Sequence, residues 1–144
     1  MLRPVLVCVL LAIAATSASA QENPIARRRE IYKSFGQAAK EPGAMLKKEA
    51  PFELAKVHAA LRTFQDGSRK LPNLFPENSK TGGETAALPI IWEDKAKFNA
   101  LFAKFDQDTT TALASIKDEA SFRAEFPKVL RDCGGCHETF RLKK

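Results

Sequence analysis

The stretch that most constrains this chain is Cys133-Gly134-Gly135-Cys136-His137, seven residues before the C-terminus. Its pattern, C-x-x-C-H, is the attachment signature of a c-type haem. Thiols three residues apart lie on one face of a helix, so both can add to the vinyl groups of a single porphyrin. His137, next in the chain, then offers an imidazole nitrogen to the iron as axial ligand. Three other readings compete. A zinc site needs four ligands, and beyond the N-terminal leader the only other candidate is His58. A thioredoxin-like C-x-x-C would open a helix after a strand, whereas this one closes a helical pattern with no strand before it. A chance match to so short a motif is the third. The reading adopted is one haem c, attached covalently through Cys133 and Cys136.

Residues 1–20 read as a cleaved signal peptide. Arg3 supplies the charge, Val5 to Ala15 is an apolar run, and Ala18-Ser19-Ala20 is a small-residue cleavage site. The run is too short for a permanent membrane span, and Cys8 leaves with it. Of the 144 residues, 124 remain from Gln21 onward, enough for one domain, 21–144, with one core. Removing Arg3 takes the net charge from +6 to +5. The basic residues are scattered, with runs only at Arg27-Arg28-Arg29 and Lys143-Lys144, and no exposed aromatics interleave them. Nucleic acid is therefore a poor partner; an acidic redox protein or an anionic membrane surface suits the charge. Export, haem and the lack of a membrane span together predict a soluble periplasmic protein.

Pro24 opens a first helix, where its missing N–H does no harm. Ile25, Arg28, Tyr32, Phe35 and Ala39 then recur at spacings of three and four, an inward stripe. Pro42-Gly43 interrupts it. A second helix is predicted from Pro51 to Gln65, closed by Asp66-Gly67-Ser68. Residues 68 to 91 are rich in Pro and Gly and read as a long loop, a length that usually serves a purpose. Trp92 starts a third helix running to Ile116. A fourth carries Phe122, Phe126, Val129, Cys133, Cys136, His137 and Phe140, with Pro127 as its start or a kink. No stretch alternates with period two. The predicted fold is all-α, an antiparallel four-helix bundle with haem near its C-terminus.

The far side of the iron has few candidate ligands upstream: Tyr32, Met45 and His58. If the first and fourth helices are antiparallel neighbours, His137 is level with residues 28 to 33, which include Tyr32. Met45 then lies roughly 20 Å further along at 1.5 Å per residue, and His58 near it. A neutral phenol is a weak ligand, although Arg28 one turn away would favour its phenolate. The expectation is an aromatic lid over five-coordinate, high-spin iron.

The whole chain beyond the leader resembles cytochrome c′, the class II c-type cytochromes. The resemblance is carried by Cys133-Gly-Gly-Cys-His-Glu-Thr-Phe-Arg141, Lys48-Glu-Ala-Pro-Phe52, Leu71-Pro with Leu74-Phe-Pro-Glu-Asn-Ser79, Thr85-Ala-Ala-Leu-Pro-Ile-Ile-Trp92, and Arg28-x-x-x-Tyr32-Lys33-x-x-Gly36. It implies a bundle, often a homodimer formed through the first two helices, that carries electrons and binds nitric oxide and carbon monoxide. It places Arg28 and Arg29 near the haem propionates, Arg141 beside the proximal histidine, and Phe75 in the distal wall. Two departures stand out: Asn73 where the family often has Trp, and Pro42-Gly43 within a helix that is usually continuous. Low-spin relatives similar to cytochrome c556 carry Met where this chain has Tyr32.

The leading function is a periplasmic electron carrier able to bind nitric oxide or carbon monoxide. The alternatives are a dedicated nitric oxide scavenger and a low-spin c556-like carrier. An enzyme such as a peroxidase would need a distal acid–base pair, which Tyr32, Phe35 and Phe75 do not supply, so the chain is expected not to be one.

Overall fold

A computed structural model describes residues 23–143; the expected leader and Cys8 lie outside the described residues. Six helices follow in order: α1 (Pro24–Ala38), α2 (Lys40–Leu46), α3 (Leu54–Lys70), α4 (Ile90–Glu93), α5 (Lys95–Ser115) and α6 (Glu119–Phe140). Two 3₁₀ turns, Leu71–Leu74 and Glu77–Ser79, shape the segment after α3. Among the described residues there is no strand, only an isolated antiparallel bridge between Ala87 and Arg141. The bundle consists of the long helices α1, α3, α5 and α6, with α2 continuing α1.

Local chemistry explains most boundaries. Asn23 caps α1, its Oδ1 accepting from Ile25 N at 2.9 Å, with Pro24 in the first position. The interruption expected at Pro42-Gly43 falls earlier, at Ala39. Pro42 has no N–H to give the carbonyl four residues back, that of Ala38, and its ring crowds that carbonyl. The break therefore appears one turn before its cause. Asp94, outside the helical region at φ −123° and ψ 61°, separates α4 from α5 and caps Lys97 N at 3.1 Å. The third helix predicted from Trp92 is thus a short turn followed by the long α5. A capping box between Asp118 and Ser121 starts α6. Pro127 lies inside α6 and does not start it.

Two expectations fail in ways that bear on the site. The helix expected from Pro51 begins at Leu54, and it does not stop at Asp66-Gly67-Ser68 but runs to Lys70. Gly67 and Ser68 are buried rather than exposed terminators. On α1 the buried positions are Ile25, Arg28 and Ile31, while Tyr32 is 36% exposed. The inward stripe passes through Ile31, and Tyr32 sits at its edge, because spacings of three and four fit the periodicity equally well.

The core has two parts. Met45, Leu61, Phe64, Phe105, Phe122 and Phe126 head one, and Ile31, Leu71, Phe75, Phe98, Phe102 and Phe140 form most of the other. Phe35 packs against both. Close helix pairing runs α1–α3, α3–α5 and α5–α6. The expected close neighbours α1 and α6 are not among these pairs, yet their register is antiparallel as expected. Arg123 on α6 donates to the carbonyl of Met45 at 3.2 Å, and Cys136 on α6 acts electrostatically on Tyr32. α6, and α1 together with α2, each cover 13 residues between those two levels.

Candidate haem site

The motif forms the last two turns of α6. Cys133 packs against the first core cluster and Cys136 against the second, so the two thiols straddle the seam between them. Neither is in a disulfide. Burial raises the Cys133 thiol above its usual range, aided by Asp132. Burial and Cys133 push Cys136 up to about 11. A redox or nucleophilic C-x-x-C depends on a lowered thiol pKa, so this pair is ill suited to disulfide exchange. Protonated, half-buried thiols at an apolar seam do suit attachment to a porphyrin.

His137 stands on the same terminal turn, partly exposed and partly covered by its neighbours. Burial, and then the Arg141 guanidinium, hold its imidazole below the usual value, favouring the neutral ring that a metal requires. Arg141 Nη1 lies 3.4 Å from His137 Nδ1; a guanidinium only donates, so Nε2 becomes free to ligate an iron once the neutral ring's proton sits on Nδ1 and this contact is given up. Cys133, Cys136 and His137 together fit a haem.

Arg28 is 2% exposed. Its Nη1 donates to Leu74 O at 3.1 Å and to Ser79 Oγ at 3.0 Å. Its Nη2 donates to Ser79 O at 3.1 Å and to Thr85 Oγ1 at 2.7 Å. The guanidinium also stacks 4.5 Å from the Phe75 ring centre. All four Nη hydrogens therefore clamp the 74–85 segment onto α1. Burial lowers the Arg28 pKa despite nearby Tyr32, as for a cation whose four hydrogen-bond acceptors are all neutral oxygens. A haem carboxylate near it would relieve that burial. Arg29, the other expected propionate-side residue, is an exposed partner of Glu84.

The far end of the same segment is tied to the end of α6. Leu88 N donates to Phe140 O at 3.0 Å, and Leu142 N to Ala86 O at 2.8 Å. The long loop is thus a strap joining α1 to the residues just past His137. Phe75 belongs to the cluster on which Cys136 packs; Lys95 donates to its carbonyl at 3.1 Å, and Trp92 Nε1 donates to Pro76 O at 3.1 Å. Ser79, Thr85, Trp92 and Lys95 were not singled out as site residues from sequence. As site residues, Ser79, Thr85 and Trp92 stood in the sequence only as ends of blocks that carry the family resemblance, and Lys95 carried no signal.

Tyr32 stands edge-on to Phe35, with ring centres 6.1 Å apart. Burial and Cys136 raise its phenol above the ordinary value, outweighing Arg28, so it remains protonated. The other two candidate ligands are elsewhere. Met45 is level with Arg123, 14 residues or roughly 21 Å before His137 on α6. His58 Nε2 is bonded to Ile116 O at 3.0 Å, at the end of α5 remote from the motif.

A helical bundle that offers two thiols and an imidazole on its last helix defines a class of covalent haem proteins. The family model described as cytochrome c′ matches residues 23–141, and the chain belongs to the cytochrome c′ family. A cytochrome c′ of Rhodopseudomonas palustris is 50% identical over 99% of this chain and 98% of its own length. A cytochrome c-556 of the same organism is 33% identical over 100% of this chain and 99% of its own. The solved structure of a cytochrome c′ from Rhodopseudomonas palustris superposes with a TM-score of 0.84 at 54% identity, covering 86% of this chain and 99% of that one. Membership brings with it covalently bound haem c and a role in carrying electrons. Among the described residues, no helix is long and apolar enough to cross a membrane.

Proposed function

We propose that this chain is a periplasmic protein with one haem c, held through thioethers to Cys133 and Cys136, that transfers single electrons and binds nitric oxide or carbon monoxide on the face opposite His137. When bound, the haem supplies one-electron chemistry and an iron able to take a small gas. The chain's own residues do the rest. His137 would hold the iron from one side, with Arg141 beside its ring. Arg28 and Arg29 would stand on the propionate side. Tyr32, Phe35 and Phe75 screen the distal side with aromatic surface.

The observation that carries this reading is the register of α1 against α6. It brings Tyr32 to the level of Cys136 and leaves Met45 and His58 a bundle-length away. The distal face then has no strong protein ligand, and a protonated phenol gates it. The c-556 relatives keep the low-spin alternative in view, but Tyr32 offers no thioether. Self-association fits the outer faces of α1 and α3, where Glu30, Lys33, Ser34, Gln37, Ala38 and Thr63 line a shallow groove.

Absorption and EPR spectra of the purified ferric and ferrous protein, with and without carbon monoxide, test the proposal. High-spin ferric signals and a ferrous carbon monoxide adduct are expected. A low-spin ferric spectrum with a methionine–iron charge-transfer band would overturn it.

A further inference from the structure

Gly67 lies inside α3, one turn from its end, where glycine costs about 1 kcal/mol relative to alanine. Its backbone gives no reason for that choice. The only described glycines with positive φ are Gly82 and Gly83. Space does give one. A Cβ at position 67 would lie 2.3 Å and 2.4 Å from Phe35 Cε1 and Cζ, and 2.7 Å from Ile31 Cγ2. By contrast, a Cβ at Gly36, Gly43, Gly134 or Gly135 meets nothing within 4 Å.

Phe35 has little freedom to retreat. Its ring is edge-on to Phe64 at 5.5 Å and to Phe105 at 5.8 Å, and on its remaining side it meets Tyr32. Carbon atoms pack at about 3.5 Å or more, so a methyl group at position 67 needs about 1 Å of extra room. Phe35 is only partly buried, and with Phe64 and Phe105 on its inner edges the ring gives way toward Tyr32, together with the turn of α1 that carries both.

We propose that Gly67 is a positioning residue for the distal face. The hollow it leaves in α3 sets the depth of Phe35 and Ile31, and through them how closely Tyr32 covers the site and what size of gas ligand it admits. The ligand-size part rests on the gas-binding reading above; the placement of Tyr32 does not.

The test uses the full holoprotein with Gly67→Ala, Phe35→Leu and the double variant. Tyr32 is the only tyrosine in the chain, so its nitration rate by tetranitromethane reports its cover directly. Gly67→Ala should be nitrated at least five-fold faster than wild type. It should also raise the ratio of n-butyl isocyanide to carbon monoxide association rates at least five-fold. In the double variant the added methyl meets a smaller side chain, and both readouts should return to within two-fold of wild type. Wild-type nitration in Gly67→Ala, or a double variant whose effects simply multiply, overturns the proposal. If Gly67→Ala does not fold, folding of the double variant is the rescue that supports it, and failure of both overturns it. A wild-type protein that binds neither gas probe refutes the gas-binding reading and the size selection together, while nitration still decides the placement.

Discussion

Replacing Arg28 with methionine should undock the strap that closes one side of the site. Methionine fills similar volume but donates nothing. Of the four acceptors, Ser79 Oγ keeps its bond to Pro76 O at 2.8 Å and Thr85 Oγ1 keeps the one from Ala87 N at 3.2 Å. The carbonyls of Leu74 and Ser79 lose the guanidinium, at about 1–3 kcal/mol each when buried and unpaired. Loss of the stacking on Phe75 adds about 1 kcal/mol. Against these stands relief from holding a cation out of water, which is evident in the lowered Arg28 pKa. The net is about 3 kcal/mol, or roughly 10 °C in melting temperature for a domain of this size. Thermal melting of the holoprotein followed by circular dichroism measures the total. Amide exchange at Leu88 and Leu142, whose bonds pin the strap to the end of α6, shows where the loss falls, and both should exchange faster. A melting temperature within about 2 °C of wild type, with unchanged exchange, would mean that water replaces the guanidinium at no cost and that the clamp is incidental.

Tyr32→Met should supply a thioether at the level of Cys136 and move the ferric spectrum toward low spin; an unchanged high-spin spectrum would put Tyr32 out of reach of the iron. His58→Ala should leave the haem spectrum unchanged and lower stability by about 1–2 kcal/mol through the stranded Ile116 carbonyl, and a shifted Soret band would contradict the remote placement. Burial raises the Asp132 carboxyl above its ordinary value although Lys104 bonds it at 2.6 Å, and its Oδ2 is buried without a partner. A carboxyl raised on folding contributes stability that is complete below its unfolded pKa and is lost as pH rises through the folded one. Urea midpoints of wild type should therefore fall relative to Asp132→Asn from about pH 4 upward, and a relative rise would reverse the assignment.

The haem motif and the number of long helices were legible in the linear chain because they depend on local spacing and local caps. Two thiols and an imidazole within five residues declare their chemistry wherever the chain goes. Asp118 with Ser121, and Asn23 with Pro24, start helices through bonds made within a few residues. The level of Tyr32 against the motif followed from helix rise once the first and last helices were taken as antiparallel neighbours.

Gly67, Arg28 and Ile31 were not legible in the same way. In the sequence Gly67 stands between Asp66 and Ser68 and looks like a terminator; only the insertion of Phe35 from α1 makes it a helix-interior hollow. Arg28 is one of three consecutive arginines; the inward stripe set it apart from Arg29, which pairs with Glu84 at the surface, but nothing local named what its guanidinium would hold. Its acceptors lie 46 to 57 residues away. Ile31 and Tyr32 satisfy the same periodicity, and the choice between them was made by where α3 leaves room. Sequence periodicity specifies that a face is apolar, whereas the depth of each side chain depends on the shape of the surface it meets, which exists only once distant segments have packed.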